Sequence, residues 1–552
     1  MPNLLLGPLL RYVGETEATI WVETDHACEV EALGHSSRTF HVEGHHYAVV
    51  HVTNLERGRT YPYTIKLDGA VAYPEPNSEF PPSVIRTIDP HQPIKLVFGS
   101  CRVTLPHEPP YTLTKDEDAR GREADALYAL AHRMLRHSPE DYPHALLLLG
   151  DQIYADEVSP GTKEFIRSRR NTDEPPGADG VADFEEYTHL YWDAWSDPVL
   201  RWMLSTISTL MIFDDHDVRD DWNTSHAWVE EMRAKPWWNE RIVGGFMSYW
   251  IYQHLGNLSP REHAEDKLFK GVREAADAGS VLREFAFQSD REPARNRWSF
   301  YRDFGGTRLV MIDARAGRVL NGRRAMVDDE EWQWIERHAT GDFDHLLLAS
   351  SVPFLLAPAM HYFEAWNERV CDGAWGKVAA KLGERLRQAA DLEHWAAFAD
   401  SFHKITGLLR AVGTGERGQS PASIVLLSGD VHHAYIAEVA FKSNQGANQA
   451  AQSRVYQAVC SPFRNPLSAN ERRAIRAGWG KSAAMIAQKM ARAAGVKEPD
   501  ISWRLVHTEP WFDNQIAALE LHHREARFRI EKTVPSDSLE PRLDTVLEHQ
   551  IS

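Results

Sequence analysis

SIVLLSGDVHH, residues 423–433, joins an apolar run of strand length to a polar end made of Gly429, Asp430 and two histidines. A continuous apolar run is typical of a strand that is covered on both faces. In open α/β sheets the ligand lies outside the carboxyl ends of the strands, so polar residues at that point are informative. The stretch therefore predicts a buried strand that carries Asp430 and His432 to a functional site.

Five other runs of the same kind precede it along the chain. They are KLVFGSC (Lys95–Cys101), ALLLLGD (Ala145–Asp151), TLMIFDDHD (Thr209–Asp217), RLVMIDAR (Arg308–Arg315) and LLLASSVP (Leu346–Pro353). Helical or loop-rich stretches separate these runs, and this alternation predicts an α/β domain or a layered α-β-β-α domain. Cys101, Asp151 and the pair Asp215–His216 fall at the ends of predicted strands, as Asp430 and His432 do.

The pattern of the first part of the chain predicts short strands. Residues 18–23 (ATIWVE) alternate with the period of a strand that is buried on one face. Two further alternating runs span Tyr47–Val52 and Tyr61–Leu67. Leu55, Gly58, Tyr61 and Tyr63 together resemble the corner of a fibronectin-like or immunoglobulin-like β-sandwich. A proline-rich stretch between Pro74 and Pro90 then predicts a semi-rigid linker.

These patterns predict two domains. The first is a β-sandwich over residues 1–88, and the second is a layered domain over residues 93–535. Within the second domain, segments at about 222–300 and 468–497 predict helical insertions.

The composition excludes some classes of protein. The chain of 552 residues has 61 basic and 79 acidic residues and a net charge of −18, so we expect no stable nucleic-acid partner. No apolar stretch approaches the roughly 20 residues of a membrane span, and the first residues resemble neither a signal peptide nor a twin-arginine leader. Four scattered cysteines favour a reducing compartment, so the sequence predicts a cytoplasmic protein. The oligomeric state stays open.

The strand-end residues predict a shared metal site. Clustered carboxylates repel one another unless a cation lies between them. Carboxylates are hard donors suited to Ca²⁺, Mg²⁺ or Mn²⁺, whereas a thiolate and an imidazole are softer, and a phenolate beside them suits Fe³⁺. The candidate ligands are Cys101, Asp151, Tyr154, Asp215, Asp430 and His432.

Four motifs carry a family resemblance. GSCR (Gly99–Arg102), GDQIY (Gly150–Tyr154), DDHD (Asp214–Asp217) and SGDVHH (Ser428–His433) resemble the motif series of the PhoD-type alkaline phosphatases. These enzymes belong to the wider calcineurin-like and purple acid phosphatase group. Order and spacing match over Lys95–Val439. The resemblance implies a four-layer α-β-β-α metallophosphatase domain that follows the β-sandwich.

The resemblance also implies roles for single residues. Asp151 would bridge two metal sites. The first site would be an Fe³⁺ centre completed by Cys101, Tyr154 and His432, and the second would be typically Ca²⁺, held by Asp215 and Asp430. Mn²⁺, Mg²⁺ and Zn²⁺ are alternative ions.

Two further residues would act on a phosphorylated small-molecule substrate. His216 would protonate the leaving oxygen, and Arg102 would clamp the phosphate with its planar guanidinium. The implied reaction is hydrolysis of phosphate monoesters, diesters or both by a metal-activated water or hydroxide.

The chain departs from the family pattern at two places, Ser351 and Asp220, and a third residue, Arg315, has two interpretations. Ser351 stands nearest the position where the wider group has a histidine, so the second metal would lose a nitrogen donor. Asp220 is a candidate extra calcium ligand. Arg315 either reaches the pocket or forms a structural salt bridge.

Two other functions remain as alternatives. A phospholipase-type phosphodiesterase at a membrane surface would use the basic amphipathic segment 468–495 for peripheral membrane contact, although a solvated helix packed on the core is favoured for that segment. A catalytically silent scaffold would keep the fold without the reaction. The retention of every candidate ligand argues against the scaffold.

Overall fold

The computed structural model describes residues 1–442, 452–534 and 540–552. Its strands are β1 Leu4–Val13, β2 Ala18–Thr24, β3 Glu29–Ala32, β4 His35–Arg38, β5 Phe40–Val42, β6 His45–Val52, β7 Thr60–Pro62, β8 Ile65–Leu67, β9 Ala70–Tyr73, β10 Val84–Arg86, β11 Ile94–Gly99, β12 Ala145–Leu149, β13 Ser208–Ile212, β14 Phe300–Phe304, β15 Thr307–Met311, β16 His345–Ala349, β17 Ser423–Ser428, β18 Tyr435–Phe441, β19 Arg454–Val459, β20 Ile501–Leu505, β21 Gln515–His522, β22 Glu525–Val534 and β23 Arg542–Gln550.

The α-helices are α1 Ala126–Leu135, α2 Pro160–Arg169, α3 Phe184–Trp195, α4 Pro198–Leu204, α5 His226–Arg233, α6 Trp238–Ser248, α7 Leu255–Asn257, α8 Pro260–Glu265, α9 Lys267–Glu274, α10 Gly279–Arg291, α11 Asp329–His338, α12 Pro358–Cys371, α13 Lys377–Ala389, α14 Ala399–Gly413, α15 Ala469–Gly478 and α16 Lys481–Ala493. A π-helical turn at Tyr249–His254 joins α6 to α7.

The N-terminal region is a β-sandwich. One sheet has the strand order β1-β2-β6-β5 and the other has the order β4-β3-β8-β9, with β7 and β10 forming a two-stranded ladder. Ile20 of β2 and Val50 of β6 belong to the same buried cluster as Val30 of β3 and Ile65 of β8, so this core lies between the two sheets. The predicted sandwich is therefore confirmed.

The prediction that β2 is buried on one face only was wrong, because all seven of its residues are buried. Trp21 points away from the sandwich core, and its ring lies 5.2 Å from that of Tyr252 in the second domain. Glu23 accepts a hydrogen bond of 2.9 Å from the Tyr252 hydroxyl. The second face of β2 is thus covered by another part of the chain, which a period of two cannot reveal.

The second domain contains two sheets. A six-stranded sheet has the order β13-β12-β11-β21-β22-β23, and a seven-stranded sheet has the order β14-β15-β16-β17-β19-β18-β20. The six apolar runs of the sequence form β11, β12, β13, β15, β16 and β17. β11–β13 are parallel to one another, and so are β15–β17, so their polar ends share an edge in each sheet.

Alternate residues of the seven-stranded sheet face two different cores. Leu347 and Val425 belong to the cluster that contains Leu147 of the other sheet, whereas Leu346 and Ile424 belong to a separate cluster with helical residues. Each fully buried side chain of this size contributes about 1.5–3 kcal/mol relative to exposure. This double burial explains why the strands read as continuous apolar runs, and it confirms the layered fold class.

Helices α5–α10 occupy most of the segment in which the first insertion is predicted. The segment 468–495, for which one helix is predicted, contains two helices. These are α15 and α16, and they are separated at Trp479–Gly480. The Trp479 ring packs on Tyr435 at 5.2 Å and fixes the break on the domain. The predicted end of the second domain at residue 535 lies outside the described residues.

Candidate metal centre

Four of the six candidate ligands lie on strained backbone at the strand ends. Cys101, Asp151, Asp430 and His432 have φ angles of 56°, 50°, 65° and 50°, in the left-handed region that disfavours residues with a side chain. Each such residue costs on the order of 1–3 kcal/mol, and residues of this kind concentrate at functional sites. The turns after β11, β12 and β17 therefore have a conformation that the rest of the fold must stabilise.

The ends of the two sheets approach closely. A Cβ atom at Gly429 would lie 2.1 Å from Ser100 Oγ, so a glycine is required there. Ser100 Oγ accepts a 2.9 Å hydrogen bond from the Asp430 backbone N–H. The Cys101 thiol donates to Asp151 Oδ2 at 3.2 Å. Candidate ligands from β11, β12 and β17 thus lie together.

Three carboxylates form a buried cluster. Asp151, Asp214 and Asp215 each place an oxygen within 4.8 Å of the others. Among the residues that the structure describes, Asp151 Oδ1 and Asp214 Oδ2 have no hydrogen-bond partner. Burial raises the pKa of the Asp151 carboxyl, and the charge of Asp215 raises it further. A bound cation would remove this penalty, so the donors fit a metal ion.

Arg315 lies among these acids and is fully buried. Its Nη2 is 3.3 Å from Asp215 Oδ1 and 3.4 Å from Asp430 Oδ1, and its guanidinium also pairs with Asp214 and Glu393. Although burial lowers the pKa of Arg315, these carboxylates raise it well above its usual value. The two predicted roles of Arg315 therefore apply together, because it reaches the carboxylate cluster and forms salt bridges there.

His394 contacts the centre from the turn after α13. Its Nε2 lies 3.0 Å from Asp430 Oδ2, and its Nδ1 lies 2.7 Å from Glu364 Oε1. Burial raises the pKa of Asp430, but the hydrogen bond with His394 and the charge of Arg315 lower it to below its usual value. An imidazole therefore lies beside Asp430, one of the two residues predicted to hold the second metal ion.

His216 lies between two carboxylates, those of Asp156 and Asp220. Its Nδ1 lies 2.9 Å from Asp156 Oδ1, and its Nε2 lies 3.6 Å from Asp220 Oδ1. The Tyr154 ring packs at 4.5 Å from the His216 ring. Asn465 donates to the Tyr154 hydroxyl at 3.3 Å. Asp215, His216 and Asp220 together form a second group of donors that could hold a metal ion.

Arg102, His432 and His433 are described by their own contacts. The Arg102 Nε donates to Asp125 Oδ2 at 2.7 Å, and its Nη1 donates to the Ala194 carbonyl at 3.0 Å. His432 is partly exposed in the same turn as Asp430. His433 is buried and stacks on Phe512, which agrees with a packing role. The phosphate contact of Arg102 stays a prediction.

Sequence reasoning missed several of these residues. Asp214 lies in the DDHD motif, and Asp156 follows two residues after Tyr154, so both stood close to a recognised signal. Glu364, Glu393 and His394 lie in or after helices, far from any predicted strand end. Only the fold brings these three to the centre.

Two facing sheets with buried carboxylates, a thiol, a phenol and imidazoles at the strand ends define a metallophosphatase. The model of the PhoD-like phosphatase family matches residues 124–498, so the chain belongs to this family and is a phosphoric ester hydrolase whose substrates are phosphorylated. Residues 1–85 match a domain of unknown function, DUF7800.

The fold is similar to that of a solved structure of PhoD. A structure of PhoD aligns with a TM-score of 0.57 and 11% identity, covering 100% of this chain and 92% of that one. A purple acid phosphatase, PPD1 from yellow lupin (Lupinus luteus) seeds, aligns with a TM-score of 0.44 and 10% identity, covering 95% and 71%. No curated protein matches the sequence. Over the described residues, no helix has the length and apolar character to cross a membrane.

Proposed function

We propose that the chain hydrolyses phosphate monoesters, diesters or both at this centre. The observation that carries the proposal is the buried cluster of Asp151, Asp214 and Asp215, which includes carboxylate oxygens without a partner among the described residues. Buried carboxylates in such a cluster destabilise the folded protein in the absence of a cation, whereas they stabilise a bound cation.

The donors favour two different ions. Cys101, Tyr154 and His432 would complete a site for Fe³⁺, and Asp215 and Asp430 would hold Ca²⁺, with Asp151 shared. Mn²⁺, Mg²⁺ and Zn²⁺ are the alternatives. Bound cations would supply charge neutralisation of the phosphate and a lowered pKa of water.

His394 is proposed as a nitrogen donor to the second ion. Ligating histidines usually bind a carboxylate through their other ring nitrogen, and Glu364 provides this contact at 2.7 Å.

The chain's own residues would handle the proton and the phosphate. Asp156 fixes Nδ1 of His216, so Nε2, which lies 3.6 Å from Asp220 Oδ1, would donate a proton to the leaving oxygen. Asp125 and the Ala194 carbonyl hold Nε and Nη1 of Arg102, so we assign the phosphate contact to its Nη2.

Metal analysis and a substrate panel test this proposal together. We expect stoichiometric metal in the purified protein and activity on p-nitrophenyl phosphate or bis(p-nitrophenyl) phosphate that a chelator removes. The ratio of the two activities decides between monoester and diester preference. Protein without stoichiometric metal would contradict the proposal, and full metal occupancy without hydrolysis would favour the silent scaffold.

A second candidate function is a phosphodiesterase that acts at a membrane surface. On α16, Met485 and Ile486 are 51% and 58% exposed, and the exposed Lys481 and Lys489 lie on the same helix. Sedimentation with phosphatidylglycerol vesicles but not with phosphatidylcholine vesicles would support it, and a Met485→Ser/Ile486→Ser variant should then stay in the supernatant.

A reducing, cytoplasmic location is part of the proposal. All four cysteines are free thiols in the structure, including the buried Cys101 and Cys460.

A further inference from the structure

The N-terminal β-sandwich is joined to the catalytic domain along one strand. β13 is the edge strand of the six-stranded sheet, and β1 of the sandwich lies beside it. The Ser208 hydroxyl donates to the Arg11 carbonyl, and the Thr209 hydroxyl donates to the Leu10 carbonyl at 3.3 Å. β13 leads directly to Asp214 and Asp215, so this contact lies one strand length from the metal centre.

Arg11 extends from β1 to the π-helical turn Tyr249–His254. Its fully buried guanidinium donates to the Tyr252 carbonyl at 2.6 Å and to the Gln253 carbonyl at 2.7 Å. A Cβ atom at Gly256 would lie 2.3 Å from Arg11 Cζ, so the contact requires glycine there. π-helical turns interrupt the regular hydrogen-bond pattern of an α-helix and occur frequently at functional sites.

The same turn contacts the metal centre through one side chain. Gln253 Nε2 donates to Asp217 Oδ1 at 3.1 Å and to the Tyr191 hydroxyl at 2.9 Å. Asp217 Oδ2 accepts from the backbone N–H groups of Asp151 at 3.1 Å and of Asp214 at 2.9 Å. Asp217 therefore ties together the two turns that bear the buried carboxylates.

We propose that the N-terminal β-sandwich is a positioning element of the metal centre, acting through Arg11, Gln253 and Asp217 on the backbone of Asp151 and Asp214. Arg11 fixes the π-turn, the turn aims Gln253, and Gln253 orients Asp217. Asp151 has a left-handed backbone with φ 50°, so it depends on such outside support. The inference rests on the proposed function only in that Asp151 holds a metal.

Two variants break the connection at different points. Arg11→Met removes the guanidinium that contacts the π-helical turn. Gly256→Ala keeps the Arg11 residue, but the added methyl group would occupy the space of its guanidinium beside α7. We expect each to weaken metal binding by up to about 10-fold, the lower end of the range for loss of a residue bonded directly to a ligand, because Arg11 acts through Gln253 and Asp217. Arg11→Lys, which keeps a charge and a donor, should give a smaller loss.

Tyr63→Phe is the matched control. The Tyr63 hydroxyl donates to the Ser205 carbonyl at 2.6 Å, so its removal also deletes a buried hydrogen bond between the sandwich and the second domain. It touches neither the π-turn nor Asp217. We expect its melting temperature to fall while its metal affinity stays within about 2-fold of wild type.

Amide hydrogen exchange of the metal-free proteins separates this inference from the proposed function. Arg11→Met and Gly256→Ala should raise exchange at the Asp151 and Asp214 amides, whereas Tyr63→Phe should not. If the wild-type protein binds no metal, the proposed function fails and exchange still decides the inference. Unchanged exchange at both amides in a folded Arg11→Met or Gly256→Ala protein would overturn it. Should Arg11→Met not fold, Gly256→Ala supplies the same test.

Discussion

His45 and His394 each lie between two carboxylates, in two different regions of the molecule. His45, at the boundary of the two domains, lies 2.8 Å from Glu23 Oε1 and 2.8 Å from Glu185 Oε2. His394, at the metal centre, lies 2.7 Å from Glu364 Oε1 and 3.0 Å from Asp430 Oδ2. Each imidazole therefore bridges two carboxylates.

The neighbours of the two histidines differ. The His45 ring packs on Tyr47 at 6.1 Å and on Phe184 at 5.9 Å, so aromatic rings flank the imidazole itself. Asp430, the partner of His394, pairs with Arg315, which also contacts Asp214 and Asp215. A histidine between two acids thus serves cohesion in one place and, in our proposal, metal binding in the other, because the next layer of residues differs.

The largest expected effect comes from breaking the centre itself. Asp151→Asn should lower kcat/KM by about 10³-fold or more, because loss of a cation at the phosphate forfeits several kcal/mol of transition-state stabilisation. Steady-state kinetics and metal analysis of the purified variant would check this. Asp173→Asn, an exposed change in the loop after α2, is the control and should behave as wild type. Near-normal activity of Asp151→Asn would remove Asp151 from the site.

The second prediction compares the two histidines directly. His394→Gln should weaken metal binding about 10-fold to 100-fold, whereas His45→Gln should leave metal affinity unchanged. Titration of the metal-free proteins with Ca²⁺ measures both. Equal affinities in the two variants would mean that the triads have the same role.

The third prediction concerns pH. Burial lowers the pKa of His45, but hydrogen bonds with Glu185 and Glu23 raise it to about 9. Because the folded pKa lies above the unfolded value, this stabilisation is complete below about pH 6.5 and is lost as the pH rises through about 9. Its size is on the order of 3 kcal/mol.

Urea unfolding at pH 6 and at pH 9.5 checks the effect. The wild-type protein should lose more stability between the two pH values than His45→Gln does. Parallel pH profiles of the two proteins would show that His45 is not charged in the folded state.

The smallest expected effect is that of Glu185→Gln. The Glu185 side chain is 43% exposed, so its pairing with His45 is screened by water. We expect a loss below about 1 kcal/mol in the free energy of unfolding and no change in metal affinity. A loss as large as that of His45→Gln would instead place most of the stabilisation on this one exposed partner.

Local pattern made the strand-end part of the centre predictable. Cys101, Asp151 and Asp430 each follow an apolar run, and parallel strands bring such ends to one edge. The same reasoning could not find His394, which follows a helix and reaches Asp430 across 36 residues of chain. It also described β2 as buried on one face only, since nothing near Trp21 in the sequence signals the Tyr252 ring that covers it.

The sequence by itself determined the layered fold, the sandwich and which polar residues lie at the strand ends, because alternation and apolar runs act over a few neighbouring residues. The tertiary structure alone decided that Arg315 lies among four carboxylates, that His394 lies 3.0 Å from Asp430, and that Arg11 contacts the π-helical turn whose Gln253 binds Asp217. These contacts join segments distant in the chain, and only packing sets which distant groups share a low-dielectric space.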